Sequence, residues 1–207
     1  MEDDEFIQDR IAALEESVEY FGSANKAERE RWVVRAFLEN MNIQYAEEDV
    51  VSPDQDPPDV IALGGSFEVK EILDPGRKRH KEYKDELERV KQITDPQDLL
   101  TSFRPKDSSI TEIYQLCLAE AEKLNSKYAL RDRESMDLLF YVNLEHIFGV
   151  HEEPYPDVSE IQSFGWRSVS FVKGQIACCF CATENAPDWL REAVGYIQHK
   201  VWDRDSV

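Results

Sequence analysis

Within the stretch Asp59–Ile72, DVIALGGSFEVKEI, two carboxylates and a lysine recur at spacings that a β-hairpin can bring together. Gly64-Gly65 reads as a two-residue turn whose glycines accept the positive φ of a tight hairpin. Such a turn sets Leu63 opposite Ser66, Ile61 opposite Glu68 and Asp59 opposite Lys70. Residues opposite each other in an antiparallel pair point to one side of the sheet. Asp59, Glu68 and Lys70 then share one face, and Val60, Ala62, Phe67 and Val69 the other. Asp59 and Glu68 become diagonal neighbours, roughly 7 Å apart at the backbone. Their carboxylates can converge on one hard cation, which takes oxygen ligands at about 2.0–2.1 Å if it is magnesium. Beside that cation, the Lys70 ammonium can orient a water or offset charge developing on a phosphate. A register slip of one residue would separate lysine from carboxylates.

These residues resemble the motif of the PD-(D/E)XK nuclease superfamily, here Pro58-Asp59 followed by Glu68-Val69-Lys70. The resemblance also points to a bacterial family of uncharacterised endonuclease-like proteins. It implies a core of helix, three-strand meander, helix and strand, and a metal-dependent phosphodiesterase acting on nucleic acid, with DNA placed ahead of RNA and RNA left open. Asp59 and Glu68 would hold Mg²⁺ or Mn²⁺, the Val69 carbonyl would add a ligand, and Lys70 would assist the attacking water.

Many such proteins carry a glutamate on the helix before the meander, and Glu28 and Glu30 both compete for that place. At 100° per residue, Phe37 and Met41 lie within about 20° of Glu30 and Val34 within about 40°. Glu28 falls about 160° away, so Glu30 is the glutamate on the sheet-facing side. It would complete the site through water or a second ion. Arg77, His80, Lys81 and Lys84 share a face of the following helix and could contact substrate phosphates. That face reads equally well as a solvated surface with pairs such as Lys81–Asp85.

The elements that must position these groups follow from periodicity. Ile7, Ile11, Leu14, Val18 and Phe21 mark a first helix ended by Gly22-Ser23, and Val33, Val34, Phe37, Leu38 and Met41 a second from about 26 to 41. A strand near 43–51, the Pro- and Asp-rich loop 52–58 and the hairpin come next. Asp74-Pro75-Gly76 is a turn before a charged helix over about 77–93. Residues 94–107 read as loop, and Ser109 with Glu112 as a capping box opening a helix to about 127. Asp137–Leu144 is apolar throughout, as a strand buried on both faces is. Residues 145–165 read as loop. Lys173-Gly174 joins strands 166–172 and 175–183, and Pro187 opens a final helix.

The fold class is α/β, a mixed β-sheet with helices on both faces and a restriction-endonuclease-like core. A single domain spans 1–207, with its core at about 26–144, a helical insertion at about 94–130 and a C-terminal hairpin plus helix at about 166–203.

The chain has 207 residues, 42% hydrophobic and 11% aromatic, enough for a core. It lacks a run of eighteen apolar residues and starts on an acidic segment, which argues against a membrane span and a targeting peptide. Cys117, Cys178, Cys179 and Cys181 read as reduced, buried thiols of a cytoplasmic protein rather than a zinc site, because strand alternation sets Cys178 against Cys179 and Cys181.

The net charge of -19 opposes tight, unspecific binding of nucleic acid. Residues 1–60 carry seventeen acids and five bases, whereas 70–91 carry eight bases and six acids, so a local basic rim survives. The acidic excess keeps a rival open: an inactive member of the fold, acting as an acidic binding or regulatory protein. A homodimer pairing through the strand Trp166–Val172 is a further expectation.

Overall fold

The computed structural model describes residues 3–100 and 104–201. Its centre is a seven-stranded mixed sheet in the order β1-β2-β3-β5-β7-β8-β9, formed by Val50–Val51, Val60–Ala62, Gly65–Leu73, Asp137–Asn143, Ser168–Lys173, Ile176–Ala182 and Ile197–His199. The three central strands β3, β5 and β7 run parallel, and each side is extended by antiparallel strands. The parallel strands are buried on both faces, which is why DLLFYVN of β5 lacks polar alternation. A separate parallel pair joins β4 (Lys106–Ser109) to β6 (Ile147–His151). The architecture is thus α/β.

Helices cover both faces. On one side α2 (Lys26–Asn40) lays Val33, Val34, Phe37 and Leu38 over Val60, Ala62, Phe67 and Val69, joined by Leu190 of the short α7 (Asp188–Glu192). On the other, α4 (Ile110–Asn125) buries Ile110, Ile113, Tyr114 and Cys117 against Leu138, Phe140, Phe171 and Phe180, with Ile161 of α6 (Ser159–Ser163). Helix α4 opens on the capping box legible in the sequence: Ser109 Oγ accepts from Glu112 N–H, and the Glu112 carboxylate accepts from Ser109 N–H. Outside these layers α1 (Asp3–Tyr20) packs on α3 (Arg79–Val90) through Ile7, Leu14, Leu87 and Val90. A one-turn helix, α5 (Leu130–Arg133), precedes β5. Among the described residues no helix is long and apolar enough to cross a membrane.

Several elements depart from the sequence reading. Only Val50–Val51 of the 43–51 segment is strand; Glu47–Asp49 form a 3-10 turn, held by Asp49 accepting from the Ala46 N–H. The segments 94–107 and 145–165, read as loops, supply β4, β6 and α6. The two strands are short and pair with each other across forty residues, a contact no local pattern announces. The final helix stops at Glu192, and the chain returns as β9 on β8. Residues 202 and 203, the end of the stretch read as hairpin plus helix, lie outside the described residues. Strand β7 is paired on both sides, by β5 and β8, so the segment Trp166–Val172 is no edge on which a second copy can add.

The cysteines are free and buried, with burial pushing their thiols upward, Cys178 to about 12. A bulge skips Phe180 in the pairing with β7, so Cys178 and Cys181 enter one core and Cys179 the other. The alternation expected for Cys179 and Cys181 is broken by that extra residue.

Candidate functional site

The hairpin turns at Leu63-Gly64, one residue earlier than the glycine pair indicates. Val60 faces Phe67, Ile61 faces Ser66 and Ala62 faces Gly65. Both turn residues have positive φ, 48° and 79°. Two contacts place the leucine rather than a second glycine in the turn. Trp189 Nε1 donates to the Leu63 carbonyl at 3.2 Å. A Cβ on Gly65 would lie 2.4 Å from the buried Phe67 ring, so that position must be glycine inside the strand. Every partner moves by two residues relative to the expected pairing. A slip of two preserves the faces, and Val60, Ala62, Phe67 and Val69 join one core together.

Asp59 precedes β2, where the loop 52–58 leaves the sheet. The Val69 N–H, lacking a strand partner there, donates to Asp59 Oδ2 at 3.0 Å. This is the obligatory satisfaction of a buried amide, and it fixes the carboxylate over β3. Lys70 Nζ lies 3.5 Å from the same oxygen, donates to the Val69 carbonyl at 2.9 Å, and is paired with Glu68 Oε1. The side chains of Asp59 and Glu68 are only 3% and 1% exposed.

Three further groups complete the cluster. Lys26, at the start of α2, reaches Glu30 Oε1 at 2.9 Å and Asp59 Oδ1 at 3.0 Å. The Tyr128 hydroxyl donates to Glu68 Oε1, its ring packed edge-on against Trp166. Lys127 Nζ lies 3.9 Å from that oxygen. Of the two helix glutamates, Glu30 is the one in the cluster, whereas Glu28 is taken by Arg31 and Arg35. Arg77 is held by Glu82 and the Asn143 carbonyl, and Lys81 and Lys84 are exposed on α3. Neither these three nor His80 is among the contacts of Asp59 or Glu68.

The electrostatics oppose burial with pairing. Burial disfavours the Asp59 carboxylate, but the Lys70 charge, the Val69 N–H and Lys26 outweigh it and hold its pKa below the ordinary 3.8. Burial likewise works against the Lys26 charge, and its bonds to Glu30 and Asp59 prevail, raising its pKa. Glu30 is pushed up, by burial first and by the nearby Asp59 charge, against the pull of Lys26. Burial and the bond to Glu68 raise the Tyr128 phenol.

Two observations bear on a cation. Ligand atoms of Asp56, Asp59 and Glu68 all lie within 4.8 Å of one another, the one such group of His, Cys, Asp or Glu side chains among the described residues. Glu68 Oε2 is buried and has no hydrogen-bond partner. A buried, orphaned carboxylate oxygen costs several kcal/mol unless something cationic meets it. The donor set is all oxygen, the type that hard divalent cations take.

Asp56, Lys26 and Tyr128 lie beyond the sequence reading. Lys26 had a legible signal, its i,i+4 spacing to Glu30. Asp56 sits in an irregular loop and Tyr128 sixty residues from Glu68, where no period applies.

The chain is 28% identical, over 96% of both chains and with a TM-score of 0.67, to a protein of unknown function, PA4535, from Pseudomonas aeruginosa strain PAO1, which is described as belonging to a monooxygenase superfamily. No curated protein sequence matches it. A family model described as "Putative endonuclease, protein of unknown function (DUF1780)" matches residues 2–203, and the chain belongs to that family.

Proposed function

We propose that the protein is a metal-dependent nuclease, hydrolysing phosphodiester bonds of nucleic acid, DNA before RNA, at the cluster around Asp59, Glu68 and Lys70. The observation that carries this reading is the orphaned Glu68 Oε2 beside Asp59 and Asp56. Its support is the endonuclease description of the family and the resemblance of Pro58-Asp59 and Glu68-Val69-Lys70 to the PD-(D/E)XK motif.

Asp56, Asp59 and Glu68 would hold Mg²⁺ or Mn²⁺, with the Val69 carbonyl adjacent. Such an ion supplies Lewis acidity toward a phosphate oxygen and lowers the pKa of a nearby water. The chain's own groups do the rest. Lys70 is fixed by Glu68 and the Val69 carbonyl, where it can orient the attacking water and offset charge on the phosphate. Glu30, its pKa raised, can take the proton that the water gives up. Lys26 balances the charges of Asp59 and Glu30.

The cluster holds no histidine, so it is not the two-histidine, one-carboxylate set of non-haem iron oxygenases.

The test is incubation of plasmid, single-stranded DNA and RNA with Mg²⁺ or Mn²⁺. Lys70→Ala and Asp59→Asn should each lower cleavage by about 10²-fold or more. Equal activity in wild type and Lys70→Ala overturns the assignment. Divalent-ion binding without cleavage of any nucleic acid would leave the acidic binding protein as the better reading.

A further inference from the structure

A cleft of about 490 Å³ opens beside the carboxylate cluster and shares Lys26, Glu30 and Val69 with it. Its walls come from the end of α1, from α2, and from β3, α3 and β5. They present Phe21, Trp32 and Tyr141 together with Arg29 and Arg79. We infer that this cleft holds the base of an unpaired nucleotide, so that the nucleic acid acted on is single-stranded. The inference rests on the proposed function and extends it to the form of the substrate.

Four features on the molecule point to that occupant. The volume falls in the range of about 300–1,000 Å³ typical of small-ligand pockets, too small for a duplex. Trp32 is 45% exposed, an aromatic surface that the fold leaves uncovered and that meets Tyr141 edge-on at 5.5 Å. Every base has a π-face that can stack on such a ring.

The walls are also set before any ligand arrives. The Arg79 guanidinium lies 3.8 Å over the Phe21 ring and is paired with Glu71, and Phe21 stacks on Tyr83. Arg29 donates to the carbonyls of Tyr20 and Gly22 at 2.6 and 2.7 Å. A preformed wall lowers the ordering cost of binding. Finally, the lining cations Lys26, Arg29 and Arg79 outnumber the acids Glu30 and Glu71, in a chain whose net charge is -19. An aromatic, locally cationic cleft continuous with the carboxylates suits a planar base joined to a phosphate. A base inside a duplex is stacked and paired and cannot enter without extrusion.

The experiment is a fluorescence-anisotropy titration of the full chain, with a chelator present to prevent cleavage. The probes are a labelled single-stranded oligonucleotide and the same sequence as a duplex. The single strand is expected to bind at least about tenfold more tightly than the duplex, and Trp32→Ala to weaken single-strand binding by roughly tenfold or more. Trp32→Phe, which keeps a ring, should retain most of the affinity. Quenching of tryptophan emission by a nucleoside monophosphate, lost in Trp32→Phe, gives a second readout.

Equal binding of single strand and duplex, no binding of either, or wild-type affinity in Trp32→Ala overturns the inference. Its failure is separable from that of the proposed reaction. Trp32-dependent binding without cleavage under any metal keeps the cleft and removes the nuclease. Metal-dependent cleavage with full affinity and activity in Trp32→Ala keeps the nuclease and removes the cleft.

Discussion

Glu68 and Asp59 are buried carboxylates held in place by lysines, a tyrosine and a backbone amide, and each has a consequence that a single substitution exposes. Glu68 retains one oxygen without a partner. Isothermal calorimetry should therefore detect divalent-ion binding in wild type that Glu68→Gln loses, with thermal stability kept well enough to measure; undiminished binding in the variant would place the ion elsewhere. The two acids that share Lys26 should respond to pH in opposite senses. A carboxyl with a depressed folded pKa stabilises the fold above its unfolded value and loses that contribution as pH falls through the folded value. Asp59→Asn should accordingly be less stable than wild type at neutral pH, the gap closing in acid below pH 3.8. Glu30, with its folded pKa raised, contributes in reverse: its ionisation erodes stability as pH rises from 4.5 through the folded value. Glu30→Gln should then melt higher than wild type at pH 7, the gain vanishing toward pH 4. A lower melting point at pH 7 would mean that the lost bond to Lys26 outweighs relief of the buried charge.

The hairpin β2–β3 is the element that makes the site, and its geometry rests on glycine where side chains leave no room. Gly65→Ala forces a Cβ into the Phe67 ring and against the Ala62 carbonyl. Since that ring is fully buried against Phe37 and Trp189, it cannot step aside. Overpacking of this kind costs about 1–3 kcal/mol, to be read from urea denaturation, and should also weaken ion binding because Asp59 is tied to β3. A variant as stable as wild type would show that the hairpin can readjust. Strand β8 makes a separate prediction. Its three cysteines are buried with raised thiol pKa values, so a thiol reagent should label none of them in the native protein and all of them once it is unfolded.

At the scale of the whole molecule, charge and site pull in different directions. A net charge of -19 repels a polyanion at long range, while the cluster and its cleft concentrate Lys26, Lys70, Lys127, Arg29 and Arg79 in one region. Proteins that neutralise six to ten phosphates lose about 10³–10⁵ in affinity between 50 and 200 mM salt. This chain should lose less than about tenfold, since screening also weakens its own repulsion. A steep salt dependence would point to a broad phosphate-binding surface instead. The helix layers on both faces explain how so acidic a chain holds together: two apolar clusters sandwich the sheet, and most acids stay at the surface.

Sequence alone determined the parts governed by local rules. Local pattern located α1, α2, α4, β3, β5 and the β7–β8 hairpin within a few residues, because each helix has one consistent buried face and the central strands are apolar runs bounded by turns. Parity placed Glu68 and Lys70 opposite the apolar set of β3, and it survived the misplaced turn because the pairing error was an even number. The helical angle separated Glu30 from Glu28 for the same reason, since buried residues of one helix must share a face. Tertiary structure decided what depends on distant partners. It set the turn at Leu63, through Trp189 and the Phe67 ring, and paired β4 with β6 and β8 with β9. It brought Asp56, Lys26 and Tyr128 to the carboxylates and opened the aromatic cleft between α1, α2 and α3. Contacts across tens of residues leave no period in the chain. They arise only when packed layers bring separate segments face to face.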